Sequence, residues 1–226
     1  PSRIWINEHL TYTHGFGLCM GPVNQTSKEG LPEFMIKDIP PAASTNIRVK
    51  RPQIYFGERT QSYCFVNTQA KEFDYPSGDE NVYTTYNGSG GIPVNGFWRK
   101  LLLSFHFKEP KIFLSTDIHP ESRLLYVRSV AERVEKALPF LKFDRDPYMV
   151  ISDDGLLFWI IDGYTTGNAY PYARPTPGMG NYIRNSVKIT VDAYNGTTQF
   201  YASDPRDPVL QVYTRIYPGV FQGFDA

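Results

Sequence analysis

From Tyr148 onward the chain alternates short extended segments with strong turn signals, a pattern that antiparallel sheet accommodates and a helical bundle does not. Residues 148–151, the turn Ser152-Asp-Asp-Gly155 and residues 156–161 read as strand, turn, strand. A second hairpin is expected over 186–202, where Asn195-Gly196 signals a two-residue type I′ turn. That turn would set Tyr194 opposite Thr197, Ala193 opposite Thr198, Val191 opposite Phe200 and Ile189 opposite Ala202. Val187, Ile189, Val191, Ala193, Phe200 and Ala202 then share one face, and Lys188, Thr190, Asp192, Gln199 and Tyr201 share the other. Residues 156–161 are apolar at successive positions, as expected of a central strand covered on both sides.

Between the hairpins, residues 164–184 form a stretch rich in Pro, Gly and Tyr. It is too long to serve as a passive connector in a compact domain. Two helices are expected ahead of this region. Asn95 is placed to cap a helix over about 95–107, with Trp98, Leu101, Leu102 and Phe105 on one face. Pro120 and Glu121 suit the first turn of a helix over 120–138, whose Leu124, Val127, Ala131, Val134 and Leu138 form an apolar stripe. Pro139 would end it at Leu138. The first ninety or so residues are irregular, with strand candidates at 53–56 and 62–66. These elements predict an α+β fold in which the two helices cover an antiparallel sheet. The expected organisation is one domain over 1–226, with possible sub-lobes at 1–92 and 93–226.

At 226 residues the chain is long enough to bury a core without metal or disulfide staples. Lys+Arg and Asp+Glu are both 23, giving no net charge, and no basic stripe is present of the kind a phosphate backbone requires; nucleic acid is not an expected partner. Its 16 Tyr and 15 Phe favour half-buried recognition surfaces over disorder. Cys19 and Cys64 show no C-x-x-C spacing, and buried free thiols are the expectation, with a disulfide left open. No signal peptide or apolar run of membrane-spanning length is present, and a start at Pro1 suggests a piece of something larger.

Several segments together carry a resemblance. They are Trp5-Ile-Asn-Glu-His-Leu-Thr-Tyr-Thr-His-Gly-Phe-Gly17, Arg51-Pro-Gln-Ile-Tyr-Phe-Gly-Glu58, Glu72-Phe-Asp-Tyr-Pro76 and Tyr86-Asn-Gly-Ser-Gly-Gly-Ile-Pro93 in the first half. In the second half they are Trp159-Ile-Ile-Asp-Gly-Tyr-Thr-Thr166, Asn181-Tyr-Ile-Arg-Asn-Ser-Val-Lys188 and Val191-Asp-Ala-Tyr-Asn-Gly196. The chain resembles uncharacterised protein family 0182, large prokaryotic proteins with several N-terminal membrane spans and a long extracytoplasmic region. The resemblance implies a soluble ectodomain at the cell membrane, with the protein's own transmembrane region as a partner, and it brings no catalytic residue. Cys19 departs from the apolar residue this family would place there, which favours a buried thiol over a structural bridge.

The first candidate site is the long loop, where Tyr164, Tyr170, Tyr172, Arg174, Tyr182 and Arg184 offer rings and guanidinium groups to a protein, peptide or glycan. The same rings serve equally well to pack the loop onto its own sheet. Asn87-Gly-Ser-Gly-Gly91 has the look of an anion cradle but matches no nucleotide fingerprint, and a turn is the plainer reading. His9, His14 and Glu8 lack metal-site spacing. Asp144, Asp146, Asp153, Asp154, Asp204 and Asp207 lie in expected loops, where they suit calcium or, more simply, solvated turns. No cofactor or metal is expected. The favoured expectation is a non-enzymatic binding module. The alternative is a hydrolase of cell-envelope polymers, with His14 as acid or base beside Asp153, Asp154, Asp204 and Asp207. That chemistry requires a pocket joining His14 to two carboxyl groups.

Overall fold

A computed structural model describes residues 4–60 and 62–224. A turn of π-helix at Asn7–Thr11 opens them. Eight short strands then precede the first α-helix: β1 (Gly15–Phe16), β2 (Ile36–Lys37), β3 (Ala42–Ala43), β4 (Gln53–Ile54), β5 (Cys64–Val66), β6 (Glu72–Ser77), β7 (Glu80–Thr84) and β8 (Ile92–Pro93). Next come α1 (Phe97–Phe107), α2 (Pro110–Leu114), β9 (Arg123–Leu125) and α3 (Val130–Ala137). The C-terminal part holds β10 (Lys142–Phe143), β11 (Tyr148–Ile151), β12 (Leu157–Gly167), β13 (Tyr182–Asp192), β14 (Thr198–Ala202), α4 (Pro208–Ile216) and β15 (Phe221–Gln222). The fold is α+β.

Two sheets organise the molecule. The long one runs β10-β12-β13-β14-β15, with β11 also paired to β12. All its pairs are antiparallel except β14 with β15. The second has β9 between β5 and β8. Side chains alternate across a strand, and here the alternation separates two hydrophobic clusters. Cys64, Val66 and Leu125 point into the first cluster, with Val130, Val134, Val187, Ile189, Val191 and Leu210. Phe65 and Leu124 point the other way, into the second, with Trp5, Leu10, Val94, Ile112 and Ile118. The small sheet is therefore a partition, with the long sheet, α3 and α4 bordering one side and the π-helical turn and α2 the other.

This partition explains where the expected helix over 120–138 fails. Leu124 and Leu125 are adjacent and both fully buried, a pattern that a strand covered on two faces satisfies. Their burial places them in β9 rather than on a helical stripe. Val127 then takes φ 51°, an uncommon left-handed conformation for a β-branched residue, and breaks the chain direction. Helix α3 begins only after Ser129, whose Oγ accepts from the Glu132 N–H at 3.5 Å. The Ser-x-x-Glu signature at 129–132 marks this start in the sequence.

Helix α1 forms close to its expected bounds but presents the opposite face to the interior. Leu103 and Phe107 pack on the second cluster, and Lys100 turns inward so that Nζ donates to the Ser115 and Ile118 carbonyls at 2.9 and 3.1 Å. Trp98, Leu102 and Phe105 point to solvent. Gly96 rather than Asn95 occupies the N-cap, at φ 91°. Asn95 instead accepts from Arg99 at 3.0 Å.

The second hairpin closes on a longer turn than a type I′ pair. Val191 faces Thr198, Ile189 faces Phe200 and Val187 faces Ala202, two residues off the expected register. A shift of two preserves which face each side chain takes, so the expected apolar set still lines the core. Two sets of bonds cause the shift. Asp192 Oδ1 accepts from the Tyr194 and Asn195 N–H groups at 2.8 and 3.0 Å, and the Ala193 carbonyl accepts from Tyr55 and Phe56, both at 2.9 Å. The Ala193 N–H meanwhile donates to the Leu157 carbonyl at 3.0 Å, holding this residue to β12 and Tyr55. Strand β12 is central as expected, but only its inward face is closed; Phe158 and Ile160 remain half-exposed.

Candidate functional site

Strands β12 and β13 are each 11 residues long and reach well into the expected loop. Tyr164, Tyr182 and Arg184 consequently lie on strands, and the irregular flap shrinks to residues 168–181. Its base is tied by Asn181, whose side chain accepts from the Tyr170 N–H at 3.1 Å and donates to the Tyr170 and Ala173 carbonyls at 2.8 and 3.3 Å. The Tyr170 and Tyr182 rings lie 5.6 Å apart. Tyr170, Tyr172 and Arg174 are exposed, and Tyr172 is wholly so, with φ 61°.

The other loop candidates find partners within the candidate set itself. Asp207 is fully buried and accepts from the hydroxyls of Tyr182 and Thr165, both at 2.5 Å, from Ser186 Oγ at 2.6 Å and from the Val209 N–H at 3.0 Å, capping α4. Burial pushes its carboxyl up, yet the hydroxyls of Ser186, Thr165 and Tyr182 and the Val209 N–H outweigh burial and hold it below the ordinary value. Arg184 Nε lies 3.3 Å from Asp204 Oδ2, and Arg206 lies 3.7 Å from its Oδ1. These contacts fasten α4 and its leading loop to the root of the flap.

His14 meets carboxyl groups, though not those of the loops. Nε2 lies 3.1 Å from Asp74 Oδ1 and Nδ1 lies 4.0 Å from Glu72 Oε2, and the imidazole itself has no exposed surface. Burial pushes its pKa down, against the hydrogen bond to Asp74 and the charges of Glu72 and Asp74. Glu72 accepts from Thr13 Oγ1 at 2.7 Å, Tyr55 OH at 2.8 Å and the N–H groups of Tyr86 and Asn67 at 3.2 and 3.3 Å. Gln53 donates to both oxygens of Asp74, at 3.1 and 3.2 Å. Arg128, also buried, donates to the carbonyls of Tyr55 at 2.7 Å, Ser62 at 3.3 Å and Thr13. The side chains of His14, Glu72, Asp74 and Arg128 all find partners, as a structural network inside a core requires, while among the described residues Asn67 Oδ1 is buried without a hydrogen-bond partner. Among the described residues the imidazole has no exposed surface, and its two carboxyl neighbours are Glu72 and Asp74 rather than Asp153, Asp154, Asp204 or Asp207.

Asp153 and Asp154 sit at the β11–β12 turn, on the wall of an open cleft of about 800 Å³. Cys19, Met20, Arg48 and Lys50 also line it. Cys19 is exposed and free, contrary to the buried-thiol expectation, whereas Cys64 is buried and free. No cluster of three or more His, Cys, Asp or Glu side chains suited to a metal ion occurs among the described residues.

The Asn87-Gly-Ser-Gly-Gly91 segment is a clamped turn rather than an anion cradle. Three of its N–H groups are already engaged: Asn87 with Tyr194 OH at 3.0 Å, Ser89 with Asn195 Oδ1 at 3.0 Å and Gly90 with Tyr86 OH at 2.9 Å. Arg123 takes the carbonyls of Ser89, Gly90 and Gly91 at 2.7, 2.6 and 3.0 Å.

Residues 1–226 match the profile of the Uncharacterised protein family (UPF0182). The chain belongs to this family. It is 51% identical over 222 residues to a UPF0182 protein of Desulforamulus reducens, covering 98% of this chain and 24% of the relative. It is 53% identical over 226 residues to a UPF0182 protein of Geobacter sulfurreducens, covering 100% and 25% respectively. A third UPF0182 protein, from Trichlorobacter lovleyi, is 54% identical over 222 residues, covering 98% and 25%. The chain thus spans about a quarter of the length of these relatives. No solved structure matches it.

In this UPF0182 chain the segments that carried the resemblance meet in space. The Tyr55 ring lies 4.8 Å from Tyr86 and 5.0 Å from Tyr194, and Arg51 stacks over Tyr194 at 4.3 Å. Glu72 and His14 close the same centre. Sequence reasoning passed over Glu72, Asp74 and Arg128. A usable signal was Glu72-x-Asp74 within a strand, since alternate positions share one face.

Proposed function

We propose that the chain is a non-catalytic recognition module on the extracytoplasmic side of a prokaryotic membrane protein, held there by transmembrane segments elsewhere in a longer polypeptide. One observation carries the binding part of this reading: Tyr172 stands free at a left-handed φ of 61° on a tip whose base Asn181 ties down. A tyrosine in that conformation costs roughly 1–3 kcal/mol, which the surrounding loop must offset. The tied base and constrained backbone present the Tyr172 ring outward, where it is open to a ligand. With Tyr170 and Arg174 nearby, the tip suits a sugar ring or a carboxylate-bearing peptide, which would stack on the ring faces and pair with the guanidinium.

The membrane part is supported by the family likeness and by the length of the relatives. None of the helices of the described residues is long and apolar enough to cross a bilayer. In this reading the spans are carried by other parts of a longer polypeptide and are the module's first partner.

Titration of glycan and peptide panels against the 226-residue chain tests the recognition. Saturable binding that weakens at least about tenfold in Tyr172→Ser, with an unchanged melting temperature, supports it. Ligand binding indifferent to both Tyr170→Ser and Tyr172→Ser sinks it. For the location, an alkaline phosphatase fused at the position of this module in a full-length relative should be active, and an inactive fusion rejects the extracytoplasmic assignment.

A further inference from the structure

Helix α1 carries an apolar face that the described residues leave largely open, with only Phe97 touching a ring of the next helix, Phe113, at 5.2 Å. Phe97, Trp98, Leu102 and Phe105 are 59%, 73%, 66% and 74% exposed. At 100° per residue, positions 97, 98, 101, 102 and 105 fall within one arc of about 140°, directly opposite Leu103 and Phe107, which hold the helix to the core. Leu114, Ile4 and Ile6 are exposed apolar side chains as well. These three residues border a hollow of about 530 Å³ between α2 and the N-terminal turn. Contiguous exposed apolar surface of this kind marks an interaction site.

The charges around the face select its occupant. Arg99, Lys108 and Lys111 are exposed at its margins. Across residues 97–114 the one acid is Glu109, whose Oε1 is engaged by the Lys111 N–H at 3.1 Å. The whole chain has no net charge, so this local excess of cations is set against a net negative remainder of the molecule. An exposed Trp and two Phe on one face of a helix, rimmed by Arg and Lys, is the composition of a helix lying in the headgroup region of a membrane.

We infer that the outward face of α1, with Leu114 and the Ile4–Ile6 edge, rests on the surface of an anionic phospholipid bilayer. Trp98, Leu102 and Phe105 enter the boundary between headgroups and acyl chains, while Arg99, Lys108 and Lys111 meet lipid phosphates. The surface is separate from the flap, and only its cellular setting depends on the membrane placement proposed above.

Flotation of the 226-residue chain with vesicles of equimolar phosphatidylglycerol and phosphatidylcholine tests this directly. The expected result is co-flotation with a blue shift of tryptophan emission, since Trp98 is the most exposed of the three tryptophans, and binding weakened at least about tenfold on phosphatidylcholine alone. Trp98→Ser with Phe105→Ser should reduce partitioning at least about tenfold, and Arg99→Glu with Lys111→Glu should remove the preference for anionic lipid. All of these side chains are exposed, so the variants should melt with the wild type. A wild-type chain that melts cooperatively but does not float overturns the inference and leaves the face to another part of the longer polypeptide. Unchanged flotation of the double serine variant also overturns it. So does concentration-dependent dimerisation abolished by that variant without any vesicle binding. Tyr172→Ser should float normally, so failure of the flap reading and failure of this one are told apart.

Discussion

The Tyr55 hydroxyl donates to Glu72 Oε2 at 2.8 Å in a part of the core where both residues are closed to solvent. The Tyr55 ring also lies tilted against His14 and edge-to-face with Tyr86 and Tyr194, so a single carboxyl group fixes the ring on which several segments converge. Replacing Glu72 with Ala strands four donors, from Thr13, Tyr55, Asn67 and Tyr86. The expected loss is about 3–5 kcal/mol of unfolding free energy. Glu72→Gln retains one acceptor oxygen and should fall between Glu72→Ala and the wild type in urea denaturation.

Asp207 makes the stability of the flap root depend on acid. Its folded pKa lies below the unfolded value near 3.8, so the stabilisation is complete above that value and disappears as pH falls through the folded pKa. Denaturation midpoints of the wild type should therefore drop steeply in this acid range, whereas Asp207→Asn should show a flatter limb. Near neutral pH the variant should be less stable by about 2 kcal/mol, through loss of a helix cap and of charge-assisted bonds.

The two cysteines should separate in a thiol titration. Cys19 is exposed, while Cys64 is fully buried and burial pushes its thiol up to about 11 against the pull of Arg128. One thiol equivalent should react with a disulfide reagent in the native state and the second only in denaturant. Two fast equivalents would mean that the partition between the clusters opens readily.

Gly90 lies where the clamped turn presses on the second hairpin. A Cβ there would stand 2.2 Å from the Asn195 carbonyl oxygen and 2.7 Å from the Tyr86 hydroxyl. Gly90→Ala should cost more than about 2 kcal/mol. Gly78→Ala provides a control for left-handed strain without a clash, since its φ is 61° and nothing lies within 4 Å of the added carbon.

The antiparallel hairpins, the bounds of α1 and the inward set on β13 and β14 were legible in the sequence, because local alternation and turn chemistry dictate them. The faces survived even where the register did not, since a shift of two residues leaves the alternation intact. The helix expected over 120–138 failed where tertiary burial overrode a helical period, at Leu124 and Leu125. The side chains around Glu72 come from positions as far apart as 13 and 86, and no local pattern joins them.

What the sequence determined by itself is a family, an α+β class and an aromatic connector between two hairpins. Only the tertiary structure decided that Asp204 and Asp207 serve the flap's root, that His14 is sealed among polar partners, and that α1 turns its tryptophan outward. The reason is physical: periodicity states that a helix has an apolar face, but which of two apolar faces is buried depends on the neighbour it meets. Here the small sheet and α2 engaged Leu103 and Phe107, and Trp98, Leu102 and Phe105 were left to the outside.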